Sequence, residues 1–374
     1  MTILLWLLTI AWQQQQRQQP EAALKPAIEA HQKGDLDAAV RLYRDYLKTH
    51  SSSFEVHSNL GAILARQGLY GEAIAEYNAA LRLAPNNPSI SLNLAIAYYK
   101  SGDIGLAAEE LKALHNKAPD VQRVTLLLAD CRLRLGENQK VIDLLNPYDK
   151  DDKTDPAVVY MLGTALIREK QMVRGQLMLD RILKNGDSSE ARLLLGTAKL
   201  SVADFAGALQ ELGKAVELNP KLTTANGLYG QALMATGDTA AATKSFRSEL
   251  ALDPTDFDSN LNLASILRQD QDNDGARKLL DMALRVRPGD LRVRYQLASI
   301  LLAENKTAEA RASLEGIVKE APKFTEAHVS LATVYYRLKL RPEGDRERAI
   351  VLKLNEESQA QQPKGDPLSA DKKP

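Results

Sequence analysis

The sequence has little of what most enzymes and nucleic-acid-binding proteins need. Its 374 residues include one cysteine, Cys131, which excludes a disulfide framework and a cysteine-rich zinc site. Basic and acidic residues both number 48, so no net charge attracts nucleic acid or anionic lipid. Aromatic residues make up only 5%. A composition rich in alanine and leucine but poor in aromatic residues favours thin helix-on-helix packing over a thick sheet core.

Catalytic motifs are missing as well. The sequence has no glycine-rich phosphate loop, no nucleophile elbow and no histidine pair at metal-ligand spacing. We therefore expect no enzymatic activity, no catalytic residues, no metal site, no cofactor and no small-molecule ligand. One segment, Asp270–Asp281, has acidic residues and a glycine where a calcium loop has them. Its second half falls in a predicted helix, so we favour a polar turn, with cation binding as the alternative.

The first nineteen residues differ from the rest of the chain. Residues 3–12 form an apolar run, and a glutamine-rich stretch follows. Ten residues are too few to cross a bilayer, which takes about 20, so no integral membrane segment is expected. The length suits the apolar core of a secretory signal peptide, although no basic residue precedes it. Residues 1–19 are interpreted as a leader for an exported protein, periplasmic, envelope-associated or secreted; without a functional signal the protein would be cytoplasmic.

Prolines reveal a period in the remaining sequence. Six of the fifteen prolines are spaced 34 residues apart, except for one gap of 101 residues that equals three periods less one residue: Pro85, Pro119, Pro220, Pro254, Pro288 and Pro322. Such a period predicts a repeat array rather than several globular domains. Placing these prolines at position 32 gives ten repeats, which begin at residues 20, 54, 88, 122, 156, 189, 223, 257, 291 and 325.

Two columns of the aligned repeats hold small side chains. Position 8 is alanine or glycine in all ten repeats, and position 20 is alanine or glycine in all but one, where Val141 stands. Two helices that cross closely need a missing side chain where their axes approach, so these columns predict a helical hairpin in each repeat. Position 7, a leucine in most repeats, is interpreted as the large residue that matches the small ones.

The second repeat carries the clearest family resemblance, in Asn59-Leu60-Gly61, Gly68-Leu69-Tyr70, Ala73, Tyr77, Ala80 and Pro85. This pattern resembles the tetratricopeptide-repeat (TPR) motif, and the resemblance covers residues 20–358. It implies an all-α fold, a right-handed TPR superhelix (α-solenoid) of about ten helix-turn-helix repeats. The repeats are residues 20–53, 54–87, 88–121, 122–155, 156–188, 189–222, 223–256, 257–290, 291–324 and 325–358.

The ends and the middle of this array have features of their own. The charged second helix of the last repeat is expected to be a C-terminal cap, because nothing stacks beyond it. Residues 359–374 are expected to be a disordered tail. Asn146-Pro147 is expected to cut the second helix of the fourth repeat short. The acidic connector that follows, to residue 155, is interpreted as a solvated loop, with a hinge as the alternative.

In the TPR family the first helix of each repeat lines a concave groove, into which positions 2, 5, 6, 9, 12 and 13 point. An asparagine at position 6 resembles the amide ladder of the O-GlcNAc transferase superhelix, where side-chain amides grip a peptide backbone. Leucine or methionine replaces it in the central repeats, and position 13 is basic in four successive repeats. The predicted groove residues are Asn59, Asn93, Leu127, Tyr160, Met161, Leu194, Leu228, Asn262, Arg66, Lys100, Arg134 and Arg168.

These features predict a non-enzymatic scaffold that holds a protein or peptide segment, apolar with some acidic residues, during assembly of an envelope or secreted complex. The alternative is a regulatory or targeting subunit of an enzyme on a separate chain, such as a glycosyltransferase or a peptidase. No nucleic-acid partner is expected, because RNA binding would need a basic groove. Two other interpretations stay open: the basic residues only solvate helix ends, and the apolar ones pack against the array itself. A resemblance to stand-alone bacterial TPR proteins points to a bacterial source.

Overall fold

The computed structural model describes residues 22–149, 154–184 and 186–361, and all regular secondary structure within these ranges is helical. The all-α fold expected from the sequence is therefore confirmed, with successive helical hairpins as in an α-solenoid. The predicted leader, residues 1–19, and the predicted tail beyond residue 361 lie outside the described residues. Residues 359–361 belong to the last helix and not to a tail.

Each predicted repeat contributes two of the twenty α-helices in the described ranges. The first seven repeats contain α1 (22–33), α2 (Leu36–Leu47), α3 (Phe54–Arg66), α4 (Tyr70–Leu83), α5 (Pro88–Ser101), α6 (Ile104–Lys117), α7 (Gln122–Leu135), α8 (Asn138–Leu145), α9 (Pro156–Arg168), α10 (Met172–Leu183), α11 (Ser189–Ser201), α12 (Phe205–Leu218), α13 (Ala225–Ala235) and α14 (Thr239–Leu252). The last three contain α15 (Phe257–Gln269), α16 (Asn273–Val286), α17 (Leu291–Ala303), α18 (Thr307–Glu320), α19 (Thr325–Arg337) and α20 (Arg341–Gln361). We call the odd-numbered helices A helices and the even-numbered ones B helices.

The chain divides into two compact units between Asp256 and Phe257, where the seventh predicted repeat meets the eighth. The N-terminal unit contains α1–α14 and the C-terminal unit contains α15–α20. The acidic connector that ends at residue 155 is not at this division, and its residues 150–153 lie outside the described residues. Just before it, α8 stops after eight residues and a 3₁₀ turn, Asn146–Tyr148, follows. This early stop is the one that Pro147 predicts, because proline has no N–H to continue the helix.

Every A helix is followed by a residue with a positive φ at position 15. Glycine provides it in five repeats, at Gly34, Gly68, Gly102, Gly136 and Gly237. Other residues provide it in the remaining five, with φ between 58° and 66°, at Lys170, Ala203, Gln271, Asn305 and Lys339. A left-handed residue ends the A helix and turns the backbone so that the B helix can return alongside. All ten repeats share this turn, although half of them lack the glycine that favours it.

An aspartate at position 16 then starts the B helix in four repeats. Its carboxylate accepts a hydrogen bond from the backbone N–H three residues later, at 2.9–3.0 Å, in Asp35, Asp204, Asp238 and Asp272. This is the usual chemistry of a helix N-cap. Asp272 belongs to the segment Asp270–Asp281, and residues 273–281 of that segment lie in α16. Only residues 270–272 precede the helix, and they form the polar turn that the repeat register predicts.

Three of the four glycines at position 8 face a large side chain at position 24 of the same repeat, and the fourth, Gly163, faces Met178 at position 23 and Leu194 of the next repeat. A methyl group added to Gly61 would lie 2.9 Å from the ring of Tyr77, and one added to Gly230 would lie 2.7 Å from the ring of Phe246. A methyl group on Gly196 would meet Leu212 at 2.5 Å. The large partner is therefore at position 24, and the assignment of position 7 to this role was wrong. Position 24 is fully buried or nearly so in the first nine repeats, at Tyr43, Tyr77, Leu111, Leu145, Leu179, Leu212, Phe246, Leu280 and Leu314.

The last repeat breaks this column. Its position 24 is Arg348, which is exposed, and Gly344 is the only buried residue of α20 up to residue 359. Helix α20 also continues about two turns beyond the end of the other B helices. A charged residue at the site of a core residue gives the last helix the polar outer face that the end of a repeat array needs.

Candidate functional site

A cleft lies along the A helices of the third to fifth repeats in the N-terminal unit. Its volume is about 560 Å³, and it is lined by Tyr99, Gln122, Arg123, Leu126, Leu127, Asp130, Arg134, Met161 and Thr223. Seven of these nine residues stand at the positions that the family resemblance assigns to a concave face. The floor consists of the partly exposed side chains Leu126, Leu127 and Met161, and Arg123 and Arg134 lie near its two ends. The cleft therefore offers apolar surface between two guanidinium groups, of which that of Arg134 is paired with Asp130 and Asp253.

Two of the predicted groove residues are buried in the core. Leu194 has no exposed surface, and its side chain approaches the backbone of Gly163 in the preceding A helix. Leu228 is only 8% exposed. Because Gly163 has no side chain, the A helix of the sixth repeat packs closely enough to enclose Leu194. These two leucines stabilise the array and do not form part of an open floor.

The three asparagines predicted at position 6 do not all lie in the same unit. Asn59 and Asn93 lie partly exposed on α3 and α5, whereas Asn262 lies on α15 in the C-terminal unit. Asn59 hydrogen-bonds the hydroxyl of Tyr43, whose pKa is raised by burial and lowered in part by this bond. The amide of Asn59 is thus already engaged by the preceding repeat.

The four basic residues at position 13 do not form one exposed row. Arg66 and Lys100 are exposed, while Arg134 and Arg168 are turned toward the protein. Arg168 donates from Nη1 to the backbone oxygen of Leu133 at 3.4 Å. For Arg168 the interpretation as a group that serves a helix end is favoured, because it adds a second hydrogen bond to a last-turn carbonyl that already accepts from the N–H of Gly136.

Arg134 is held by groups from three repeats. Its Nε donates to Oδ2 of Asp130 at 3.0 Å, and its Nη1 donates to Oδ2 of Asp253 at 2.5 Å. The hydroxyl of Tyr99 donates to the same oxygen of Asp130 at 2.5 Å, and the guanidinium lies 4.7 Å from the centre of the Tyr99 ring. Burial, followed by the charge of Asp130, raises the pKa of Tyr99. The network fixes the orientation of the guanidinium at one end of the cleft.

Tyr160 lines a second cavity, of about 540 Å³, at the start of α9 and α11. Apolar side chains such as Val159, Ile182 and Leu222 form most of its wall. Arg181 also lines it, and this arginine is paired with Asp149. Tyr160 and Met161, neighbours in the sequence, therefore line two different cavities.

A recurring pair that the sequence analysis missed links positions 4 and 23. The pairs are His57 with Glu76 at 2.6 Å, Arg192 with Glu211 at 2.5 Å and His328 with Glu347 at 2.5 Å. In both histidine pairs the second ring nitrogen lies near the backbone oxygen six residues earlier, at 3.2 Å from Ser51 and 3.0 Å from Pro322. Comparing the two columns directly would have found this pairing, because His57 and His328 occupy the same register position.

A buried carboxylate, Glu249, was also missed. Its two oxygens accept hydrogen bonds from the backbone N–H groups of Thr224, at 2.6 Å, and Gly227, at 3.1 Å. These groups belong to the start of α13, where Thr224 has a φ of 76° and provides no side-chain cap. Burial raises the pKa of Glu249 to about 7, against the lowering effect of the bond from Thr224. Glu249 therefore caps α13 from the neighbouring helix.

Cys131 is buried in α7, and burial raises the pKa of its thiol to about 12. A thiol with so high a pKa is a poor nucleophile at neutral pH, and Cys131 serves as a packing residue of α7. In the part of the chain that the structure describes, no three histidine, cysteine or carboxylate side chains cluster as metal ligands would. No described helix combines the length and the apolar character that crossing a bilayer takes.

Two family profiles with the same description match the chain. A family profile described as tetratricopeptide repeat matches residues 24–88, 193–257, 230–290, 261–323 and 295–356. A second profile with the same description matches residues 64–120 and 99–163. Together the matches extend over residues 24–163 and 193–356, which is most of the chain.

Two curated relatives match over short stretches. The chain is 38% identical over 87 residues to the TPR repeat-containing thioredoxin TTL4 of Arabidopsis thaliana, covering 23% of this chain and 13% of that protein. It is 40% identical over 53 residues to intraflagellar transport protein 70B of Bos taurus, covering 14% of this chain and 8% of that protein. The chain thus spans only a small part of the length of these relatives.

Among solved structures, two crystal structures of the protein MamA are similar. One aligns at 21% identity with a TM-score of 0.38 and covers 44% of this chain and 97% of MamA. The other aligns at 20% identity with a TM-score of 0.39 and covers 49% of this chain and all of MamA.

Proposed function

Because the chain belongs to the tetratricopeptide-repeat family, we propose that it is a non-enzymatic scaffold that holds a segment of a partner protein on the A helices of its N-terminal unit. Repeats of this family indicate protein–protein interaction. Arrays of this kind present an extended surface built from successive repeats, which suits a partner in extended or helical form. The partner, its complex and the residues that contact it are part of the proposal.

The single observation that supports this surface most is the cleft around Leu127. Its floor of Leu126, Leu127 and Met161 is partly exposed, so these adjoining apolar side chains can be buried against a partner. Arg123 lies near one end, and near the other end Arg134 is paired with Asp130 and Asp253. A segment with apolar side chains and carboxylates complements both features, because burying the apolar surface gives affinity and the charges fix the register.

A capture experiment with three variants tests the proposal. The double variant Leu127→Asp/Met161→Asp places two charges on the floor, whereas Leu106→Asp places a charge on α6, where Leu106 is 53% exposed. We expect chemical crosslinking in the native cells to link the wild type and Leu106→Asp to the same proteins, and the double variant to lose them. Circular dichroism checks that all three remain helical. If the helical double variant captures the same set as the wild type, the partner uses another surface.

We further propose that the scaffold works outside the cytoplasm of a bacterium, in the assembly of an envelope or secreted complex. Support comes from the length of the apolar run at residues 3–12. A fusion of residues 1–19 to alkaline phosphatase, which is active only where disulfides form, measures export directly. High phosphatase activity is the expected outcome. An inactive fusion that accumulates in the cytoplasm would place the scaffold inside the cell.

A further inference from the structure

A segment of the seventh repeat, residues 253–255, contacts the arginine at one end of the cleft. Oδ2 of Asp253 accepts from Nη1 of Arg134 at 2.5 Å, and Oγ1 of Thr255 accepts from the same nitrogen at 3.3 Å. The two partners are 119 residues apart in the sequence, and both lie in the N-terminal unit. Their side chains are only 16% and 13% exposed. We call the contact between Arg134 and Asp253 the clasp.

The surroundings of Arg134 form a site for a carboxylate. Asp130 accepts from Nε, and the ring of Tyr99 lies against the guanidinium, so the group is fixed from α5 and α7. Its Nη1 then points to the seventh repeat. An arginine that is fixed in this way binds a carboxylate with a defined geometry, and it loses little side-chain entropy when it does so.

The other oxygen of Asp253 has a separate structural role. Oδ1 accepts from the backbone N–H of Thr255 at 3.1 Å and from its hydroxyl at 2.7 Å. This local pattern holds the turn after α14 within the seventh repeat itself. One oxygen therefore holds the turn, while the other reaches Arg134. Neither of these two bonds involves Arg134.

The net charge at the cleft depends on Asp253. Arg123, Arg134, Asp130 and Asp253 together carry no net charge, and without Asp253 one positive charge remains beside the apolar floor. Arg123 and Arg134 are separated by about 16 Å along the axis of α7, which is the length of about five extended residues. An extended segment with carboxylates near its ends and apolar side chains between them fits these distances.

We propose that Asp253 occupies the place on Arg134 that a carboxylate of the partner takes, so that binding exchanges one carboxylate for another. The occupant of the cleft is an extended acidic segment of a partner protein with large apolar side chains between its carboxylates. This inference rests on the proposed function and adds what the segment displaces. The clasp makes the site selective, because a segment without a suitably placed carboxylate cannot replace the bond that it breaks.

Peptide binding to the intact protein tests the exchange. The probe is a fluorescein-labelled peptide of alternating aspartate and leucine, compared with a peptide that has asparagine in place of aspartate, and binding is measured by fluorescence anisotropy. Asp253→Asn removes the competing charge and keeps an oxygen for the turn. We expect this variant to bind the aspartate peptide at least fivefold more tightly than the wild type. The reason is that no carboxylate at position 253 then competes with the peptide for Arg134. The asparagine peptide should show no gain.

Two controls separate the exchange from a general effect of charge. Asp120→Asn removes one negative charge from an exposed position between α6 and α7 and should leave the affinity unchanged. The double variant Arg134→Gln/Asp253→Asn should lose the whole gain. Thermal unfolding followed by circular dichroism confirms that each variant is folded.

Equal binding of the aspartate peptide to the wild type and Asp253→Asn overturns the inference, and so does the absence of binding to either protein. A gain that persists in the double variant also overturns it, because the carboxylate then binds somewhere other than Arg134. The capture experiment with Leu127→Asp/Met161→Asp decides separately whether the scaffold role stands, since it depends on the floor and not on the clasp.

Discussion

Glu249 occupies position 27 of the repeat, a column that is otherwise apolar or aromatic. The other members are Tyr46, Ala80, Leu114, Tyr148, Ile182, Ala215, Ala283, Ile317 and Val351. Two backbone N–H groups at the start of α13 satisfy its oxygens, and Asp253 and Asp256 add negative charge nearby. Ionising a carboxyl group in such a place is costly, because the charged form loses its hydration.

Stability should therefore depend on pH through Glu249. Its pKa rises from the ordinary 4.5 to about 7 on folding, so the folded state binds the proton more tightly than the unfolded state. The contribution is fully present below pH 4.5 and is lost as the pH rises through 7, a change of about 3 kcal/mol in the free energy of unfolding. Urea unfolding of the wild type between pH 4.5 and pH 8 measures it.

Glu249→Gln provides the reference for this measurement, because glutamine does not titrate. The stability of the variant relative to the wild type should rise by about 3 kcal/mol as the pH rises through 7, whatever the variant loses at all pH values because its amide NH2 cannot accept a hydrogen bond. If the free energies of unfolding of the two proteins change in parallel over the whole pH range, Glu249 does not titrate within that range.

The pairing of Gly230 with Phe246 gives a second prediction for single residues. A methyl group on Gly230 would meet three atoms of the ring within 3.0 Å, so Gly230→Ala should lower the free energy of unfolding by about 2 kcal/mol. Adding Phe246→Leu should recover much of this loss, because alanine at position 8 faces leucine at position 24 in four repeats. Thermal or urea unfolding measures both effects. Gly71→Ala in α4, where the added methyl group meets nothing within 4 Å, should not destabilise the protein.

At the scale of the helix, each A helix ends at a turn whose position 15 has a positive φ. Ala203 adopts a φ of 60° at position 15, where an L-residue with a side chain is strained and glycine is not. Ala203→Gly should therefore raise the free energy of unfolding by about 1 kcal/mol, although glycine usually destabilises. Differential scanning calorimetry of the whole chain measures the shift in Tm.

Ala113→Gly serves as the matched control for that prediction. Ala113 is an exposed residue in the interior of α6, so the same substitution should lower stability there by about 1 kcal/mol. If both substitutions lower the Tm, the geometry at position 15 does not limit stability. If only the substitution at Ala203 raises it, residues at the equivalent turns, such as Lys170 and Lys339, become targets for stabilisation.

At the scale of the whole molecule, the buried column at position 24 ends in Arg348. Leucine there would continue the apolar column at a position that the described residues leave exposed, so Arg348→Leu should cause concentration-dependent self-association. Sedimentation velocity at several concentrations measures it. Arg346→Leu removes the same charge from another exposed position of α20 and should leave the protein at the oligomeric state of the wild type. Equal association of the two variants would show that hydrophobicity alone, and not the column, causes it.

Much of the fold follows from the sequence because each repeat is specified locally. The 34-residue period, the small residues of positions 8 and 20 and Pro147 predict helices and turns that the structure contains. These features act within one hairpin, so neighbouring residues are sufficient to interpret them. The error about position 7 has the same local origin, since period and residue size do not show which large side chain of the hairpin faces the small one.

The candidate site is less predictable, because it depends on how successive repeats pack. Leu194 and Leu127 share position 6, yet Leu194 is enclosed against Gly163 while Leu127 stays partly exposed. The difference arises from the spacing between adjacent A helices. The bond from Arg134 to Asp253 depends on the path of three further repeats, and no local pattern predicts a partner 119 residues away.

That bond also changes how the fourth to seventh repeats can open. In a linear stack each repeat is linked only to its neighbours, so one weak junction lets the segments on either side separate and exchange their amide protons independently. A bond between the first and last members of a four-repeat stretch gives it a second connection. The two inner repeats, the fifth and sixth, then cannot open freely without also straining that distant bond. The stretch should accordingly behave as one cooperative block, in which amide protons of α9 and α12 exchange with similar protection.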